Sequence, residues 1–153
     1  IETTPFSLTK YLLKVSSEYA IPNRIIKIMN NLIIDNIGEK ILLKIIRNKK
    51  EYNIKLNNYR ENFDEIVKII FNFLDKNNIN LSKNDNIFVN QGPGKFTSIR
   101  AAISVAKALK FTKKLNIYGY NSEQITNNNH NILLKLLKEE RLTKNLIRPK
   151  YLK

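Results

Sequence analysis

The stretch Ile87-Phe88-Val89-Asn90-Gln91-Gly92-Pro93-Gly94-Lys95-Phe96-Thr97-Ser98-Ile99-Arg100-Ala101-Ala102-Ile103-Ser104-Val105-Ala106-Lys107-Ala108-Leu109 places a strand, a tight turn and a helix in immediate succession. Ile87 to Val89 is a short apolar run of the kind that forms a buried strand. Gly92 and Gly94 open backbone angles that other residues avoid, and Pro93 stiffens the turn between them. Thr97 stands where a cap is wanted, and a helix is predicted from about Thr97 to Lys110. Ala101, Ala102, Val105, Ala106 and Ala108 give it low relief, so that a second helix can approach closely.

Upstream, Asn30 to Asp35 reads as a buried strand, Asn36 to Glu39 as a turn and Lys40 to Arg47 as a second strand. Asn48 to Lys50 is another turn, and Glu51 to Leu56 alternates as a third strand. These three are expected to form an antiparallel meander. Asn62 is read as the cap of a helix with Asp64 and Glu65 in its first turn, ending near Asn77-Asn78. Its apolar stripe is Phe63, Ile66, Val67, Ile70, Phe73 and Leu74, and Ile69 and Phe71 lie partly off it. That surplus apolar surface implies cover on a second side.

Downstream, Leu115 to Tyr118 reads as a strand, Asn121 to Gln124 as a short helix and Ile132 to Glu140 as a helix. The order of three strands, helix, strand, helix, strand, helix predicts an α/β fold, a mixed sheet with flanking helices. A strictly alternating dinucleotide-binding fold suits it less well.

The length of 153 residues supports one domain with a real core. No apolar run approaches the roughly 20 residues that span a membrane, and no secretory pattern is present, so a cytoplasmic setting is expected. The chain has no cysteine and one histidine, which excludes disulfides, thiolate metal sites and multi-histidine sites. Its formal charge of +14 would attract a polyanion, but the lysines are spread along a chain heavy in Lys, Asn and Ile, a pattern that a biased genome also produces.

Met29 stands directly before the first strand and reads as a start, so residues 1–28 are expected to be an extension upstream of a single domain over 29–153. Those residues hold Lys10, Lys14, Arg24 and Lys27 against Glu2 and Glu18, only +2 of the +14. The competing expectation is a genuine helix over about Leu8 to Tyr19, capped by Ser7.

Catalytic chemistry has few carriers. His130 sits in an Asn-rich stretch and is expected to be a solvated surface residue without a role. Asp35 alone makes no site. The Gly92-Pro93-Gly94 loop before a helix is read as a structural turn, with an anion site assisted by Lys95 as the alternative. Tyr118 and Tyr120, with Phe111 and nearby lysines, suggest either stacking on RNA or packing beside a strand, and packing is preferred.

The glycine-loop segment resembles the signature of the TsaB (YeaZ) family, in which a strand leads into GPGSFTGLR and a small-residue helix. Gly92, Pro93, Gly94, Phe96, Thr97, Arg100, Ala106 and Lys107 match in register, while Lys95 and Ser98 replace the family's Ser and Gly. Leu32 to Asp35 resembles the family's opening strand, Glu61 to Leu74 its first helix, although Asn62-Phe63 stands for its His-Ser, and Pro149 to Lys153 its closing P-x-Y-L-R. The resemblance covers most of Met29 to Lys153.

It implies an actin-like ATPase, ribonuclease H-like fold whose second lobe is largely missing, since only Asn121 to Leu146 bridges the middle strands and the closing motif. It further implies a non-catalytic partner of the TsaD enzyme, which adds a threonylcarbamoyl group to a tRNA adenosine next to the anticodon. Pairing is implied through a bundle of the first two helices, with Phe63, Ile66, Val67, Ile70, Thr97, Arg100, Ala101, Val105 and Ala106 as interface residues. Ala106→Glu is accordingly expected to abolish pairing while leaving the monomer folded. ATP and metal are expected in the partner enzymes rather than on this chain, with a TsaE-like ATPase as a further partner and tRNA as substrate of the complex. The metallopeptidase-like chemistry suggested by older family descriptions needs ligands this chain does not supply. The alternatives are a small basic RNA-binding module and a homodimer on the same helical face.

Overall fold

The computed structural model describes residues 28–153, so the expectations for residues 1–27, the Leu8 to Tyr19 helix among them, lie outside the described residues. Five strands form one sheet: β1 (Asn30–Asp35), β2 (Lys40–Arg47), β3 (Lys50–Asn57), β4 (Asn86–Asn90) and β5 (Asn116–Tyr120). Their order is β3-β2-β1-β4-β5. The first three are antiparallel, as the sequence predicted, and β4 and β5 add parallel to β1 through helical crossovers. The result is a mixed α/β sheet flanked by helices, as the element order predicted.

Alternation along the strands decides the layers. Leu32 and Ile34 of β1, with Leu43, Ile45, Ile87 and Val89, face a core closed by α2 (Ile66–Lys76), which follows the short α1 (Arg60–Asp64), and by α3 (Phe96–Lys113). Ile33, Ile46 and Phe88 point to the opposite face and pack with Leu133 and Leu136 of α4 (Ile132–Lys138). β1 and β4 are therefore buried on both faces, which is why they read as continuous apolar runs. Between β2 and β3, Asn48 and Lys49 both have positive φ (47° and 63°), the two-residue hairpin geometry that matches strand twist.

The asparagines are more than loop residues. Asn31, Asn86 and Asn116 lie side by side in the registers of β1, β4 and β5. Asn86 donates to Asn31 Oδ1 at 2.9 Å and Asn116 to Asn86 Oδ1 at 3.4 Å, forming an amide ladder across the sheet. Buried Asp85 ties the same end together by accepting from the Asn30 backbone N–H at 3.1 Å and the Ser82 N–H at 2.8 Å.

Three local expectations are corrected. Asn62 caps nothing: the helix opens at Arg60, Asn62 lies inside it, and its amide donates to the Asn57 carbonyl at 2.6 Å. The helix also breaks at Glu65, giving α1 and α2 where one helix was expected. Thr97 is likewise inside α3, exposed, with Lys95 at the cap position and no side chain capping.

Candidate functional site

The C-terminal ends of β1, β4 and β5 converge, and each delivers a polar side chain. Asp35 Oδ2 accepts from Asn90 Nδ2 at 3.1 Å, from the Tyr120 hydroxyl at 3.0 Å and from His130 Nε2 at 3.1 Å. Asp35 Oδ1 faces the Ile37 backbone N–H at 3.4 Å. His130 is buried, and its Nδ1 lies 3.1 Å from the Asn128 carbonyl oxygen. The surface histidine expected from the Asn-rich stretch is therefore corrected: the residues before α4 fold it inward, edge-on to the Tyr120 ring.

Electrostatics follow from this geometry. Burial pushes the Asp35 carboxyl up, but the His130 hydrogen bond, then that of Asn90, the His130 charge and the Tyr120 hydroxyl together outweigh it and hold the group below its usual range. Tyr120 is driven well above the ordinary phenol value by burial and by the Asp35 charge beside it, so it remains a neutral donor.

The cluster stands between a cleft of 530 Å³, which Lys40, Lys44 and Lys55 also line, and a smaller one of 190 Å³ reaching Asn90 and Ser122. Lys44 is engaged by Glu51 at 2.7 Å and Lys40 by Asn57. A cation at Asp35 would have to displace N–H and O–H donors already aimed at Oδ2, and among the described residues no third acidic or histidine ligand joins the pair. The arrangement does not fit a metal. Both ring nitrogens of His130 have protein partners, which leaves neither free for a substrate.

The glycine loop is held from behind. The Asn90 side-chain oxygen accepts from Gly92 N–H at 3.0 Å, and the Gln91 carbonyl accepts from Lys150 N–H at 2.7 Å. Gly92 has φ +109°, and a Cβ there would meet the Lys150 carbonyl oxygen at 2.3 Å; one on Gly94 would meet Ile37 at 2.8 Å. What comes close to these glycines is the chain's own tail and first loop, and a carbonyl oxygen over Gly92 opposes an anion. Tyr151 stacks on Phe96 at 4.8 Å, and Arg100 lies over the same ring.

The second feature is apolar. α2 turns Ile66, Ile70, Phe73 and Leu74 into the core but leaves Val67 46% and Phe71 38% exposed. With Val105, Ala108 and Thr112 of α3 they border a groove of 250 Å³ floored by Ile70 and Leu109.

Of the residues expected at an interface, Val67, Ile70 and Val105 meet here. Ile66 is in the core, Ala101 is half-buried, and Thr97 and Arg100 are exposed in the first turns of α3 beside Phe96. Phe63 belongs to α1. Ala106 is fully buried in the chain's own core, so a glutamate there would strike the fold before any partner. Ala108, expected only as a low-relief residue of the helix, lines the groove, and so does Thr112, which sequence reasoning missed and the i+7 spacing from Val105 could have added.

A family model described as TsaD: tRNA N6-adenosine threonylcarbamoyltransferase matches residues 56–136. The tRNA threonylcarbamoyladenosine biosynthesis protein TsaB of Buchnera aphidicola subsp. Schizaphis graminum is 29% identical over 94 residues, covering 61% of this chain and 45% of that protein. The solved YeaZ from Pseudomonas aeruginosa superposes with a TM-score of 0.58 at 20% identity, over 74% of this chain and 50% of that one. A second Pseudomonas aeruginosa structure, of a protein with similarity to peptidase YEAZ, gives the same values. The chain thus spans about half the length of these relatives.

Proposed function

Because this chain belongs to the TsaD-like family of tRNA N6-adenosine threonylcarbamoyltransferase domains, with TsaB (YeaZ) proteins among its relatives, we propose that it is a non-catalytic helper in tRNA threonylcarbamoyladenosine synthesis. It works by pairing with a TsaD-type enzyme through the faces of α2 and α3. ATP and metal belong to that enzyme and to a TsaE-type ATPase.

The observation that carries this reading is the groove bordered by Val67, Phe71, Val105, Ala108 and Thr112. Its walls are almost wholly apolar, and its small residues on α3 leave room for a close helix. Exposed Val67 and Phe71 lie one turn apart on α2, the spacing a packed helix engages. The Asp35 cluster supports the non-catalytic half: its carboxylate and its histidine spend their hydrogen bonds on holding three strand ends and a loop together.

The test is size-exclusion chromatography of the full chain with the TsaD-type protein of the same cell. The wild type is expected to co-elute. Val67→Asp/Phe71→Asp, at exposed positions, is expected to stay folded and elute alone, since a charge opposite a desolvated apolar anchor costs about 2 kcal/mol or more per residue. Co-elution of the double variant at unchanged affinity would remove the groove from the interface.

A further inference from the structure

The outer face of α3 carries a pattern that the helper reading does not use. Lys107, Lys110 and Phe111 follow at i, i+3 and i+4, which puts two cations and one aromatic ring on a single stripe. Such a stripe normally buries apolar residues; here Phe111 is 78% exposed, the most exposed of the large apolar side chains described. Beside it, Lys107, Lys110 and Lys144 rim a groove of 320 Å³ whose floor is Ile117 and Ile147 at the β5 edge. No carboxylate lines this groove. Lys144 reaches Glu140 at 3.4 Å, but that pair is exposed and weak, and among the described residues no acidic partner holds Lys107 or Lys110.

Lysines near a helix C-terminus also complement its dipole. That accounts for the cations and not for an open phenyl ring set between them. Phe96 shows the contrast: its ring is stacked on Tyr151 and topped by Arg100. Tyr118 and Tyr120 are likewise engaged, one stacked on Phe88 and the other bonded to Asp35.

We propose that this face is a contact site for single-stranded RNA, with a base stacked on Phe111 and adjoining phosphates on Lys107, Lys110 and Lys144. The chemistry is that of sequence-tolerant single-strand binding: a flat ring for any base, flanked by cations at backbone spacing. It deepens the proposed function by giving the chain its own hold on an unpaired segment of the tRNA, and in that sense rests on it.

The probe is a fluorescein-labelled twelve-residue oligouridylate, titrated with the full chain by anisotropy at several salt concentrations. Each phosphate contact lowers the slope of log affinity against log salt by about 0.7 on a single strand. Lys107→Gln/Lys110→Gln is therefore expected to flatten the slope by about 1.4. Phe111→Ala is expected to weaken binding about tenfold with the slope unchanged, because stacking is not a salt-dependent contact.

A Phe111→Ala variant that binds as the wild type does would overturn the proposal, leaving diffuse charge attraction. So would a duplex of the same length binding as tightly as the single strand, or polyglutamate held with the same dependence on Phe111, which would make this a site for acidic peptides. Threonylcarbamoyl transfer, measured separately, keeps the two readings apart: a wild type that supports transfer without binding the oligonucleotide sinks the RNA face alone, and the reverse sinks the helper role.

Discussion

Asp35 shows how a residue that means little in sequence acquires a structural task. Its carboxyl accepts from two strands and a loop at once, and its folded-state pKa lies below the ordinary value, so an unfolded chain takes up its proton first on acidification. The resulting stabilisation is fully present above the unfolded carboxylate value of about 4 and is lost as pH falls through the lower folded value. Urea unfolding of the wild type should therefore show stability decreasing below about pH 4, and Asp35→Asn should remove that part of the acid dependence while costing about 1–3 kcal/mol at pH 7. An unchanged acid profile in Asp35→Asn would show that other carboxylates carry it. His130→Ala, which leaves Asp35 short of one donor in a buried setting, should cost about 2–4 kcal/mol by the same measurement. None of this was legible in the sequence, because residues 95 positions apart meet only when α4 folds onto the sheet. Gly92 is the opposite case: the turn was legible, and the structure adds why only glycine serves. Gly92→Ala should destabilise by about 2 kcal/mol or more, since the positive φ and the Lys150 carbonyl both oppose a side chain.

At the scale of elements, periodicity located every strand and the three main helices, because burial on one or both faces writes a repeat of 2 or 3.6 into the residues. The ends were harder. Caps at Asn62 and Thr97 were read from residue type, whereas helix starts here are decided by tertiary contacts: Asn62 bonds back to Asn57 at the end of β3, and the loop before α3 is fixed by the tail. The break at Glu65 left no mark in the apolar stripe, which runs through it. Which side of each helix faces outward was also only partly legible. Ala106, a small residue suited to close approach, proved to approach the sheet of its own chain. Ala106→Glu should accordingly lose at least about 3 kcal/mol and unfold at physiological temperature, as seen by circular dichroism, whereas Val67→Asp/Phe71→Asp should keep the wild-type melting temperature within a few degrees. Equal stability of the two variants would contradict this division of α2 and α3 into core and contact faces.

For the molecule as a whole, the mixed sheet and its strand order follow from three adjacent hairpin-linked strands and two parallel crossovers, a topology that short connections nearly dictate. The closing segment was recognised as a motif, but its task was not: Ile147 is buried in the main core, Arg148 accepts from Gln91, Lys150 bonds to the glycine loop and Tyr151 stacks on Phe96. The tail thereby clamps the first turn of α3, the helix that also forms one wall of the groove. Removing Pro149 to Lys153 should cost about 2–4 kcal/mol and weaken partner pairing through the misplacement of α3 rather than through a lost contact. Among the described residues no helix is long and apolar enough to cross a membrane. Under the proposed function this chain assists a TsaD-type enzyme instead of catalysing. The most direct measurement is threonylcarbamoyl transfer to tRNA by the TsaD-type protein of the same cell with its ATPase, in the presence and absence of the full chain. Transfer that requires the chain, survives Asp35→Asn and is lost with Val67→Asp/Phe71→Asp is the expected result. Transfer at the full rate without the chain, or abolished by Asp35→Asn in a folded protein, would contradict it.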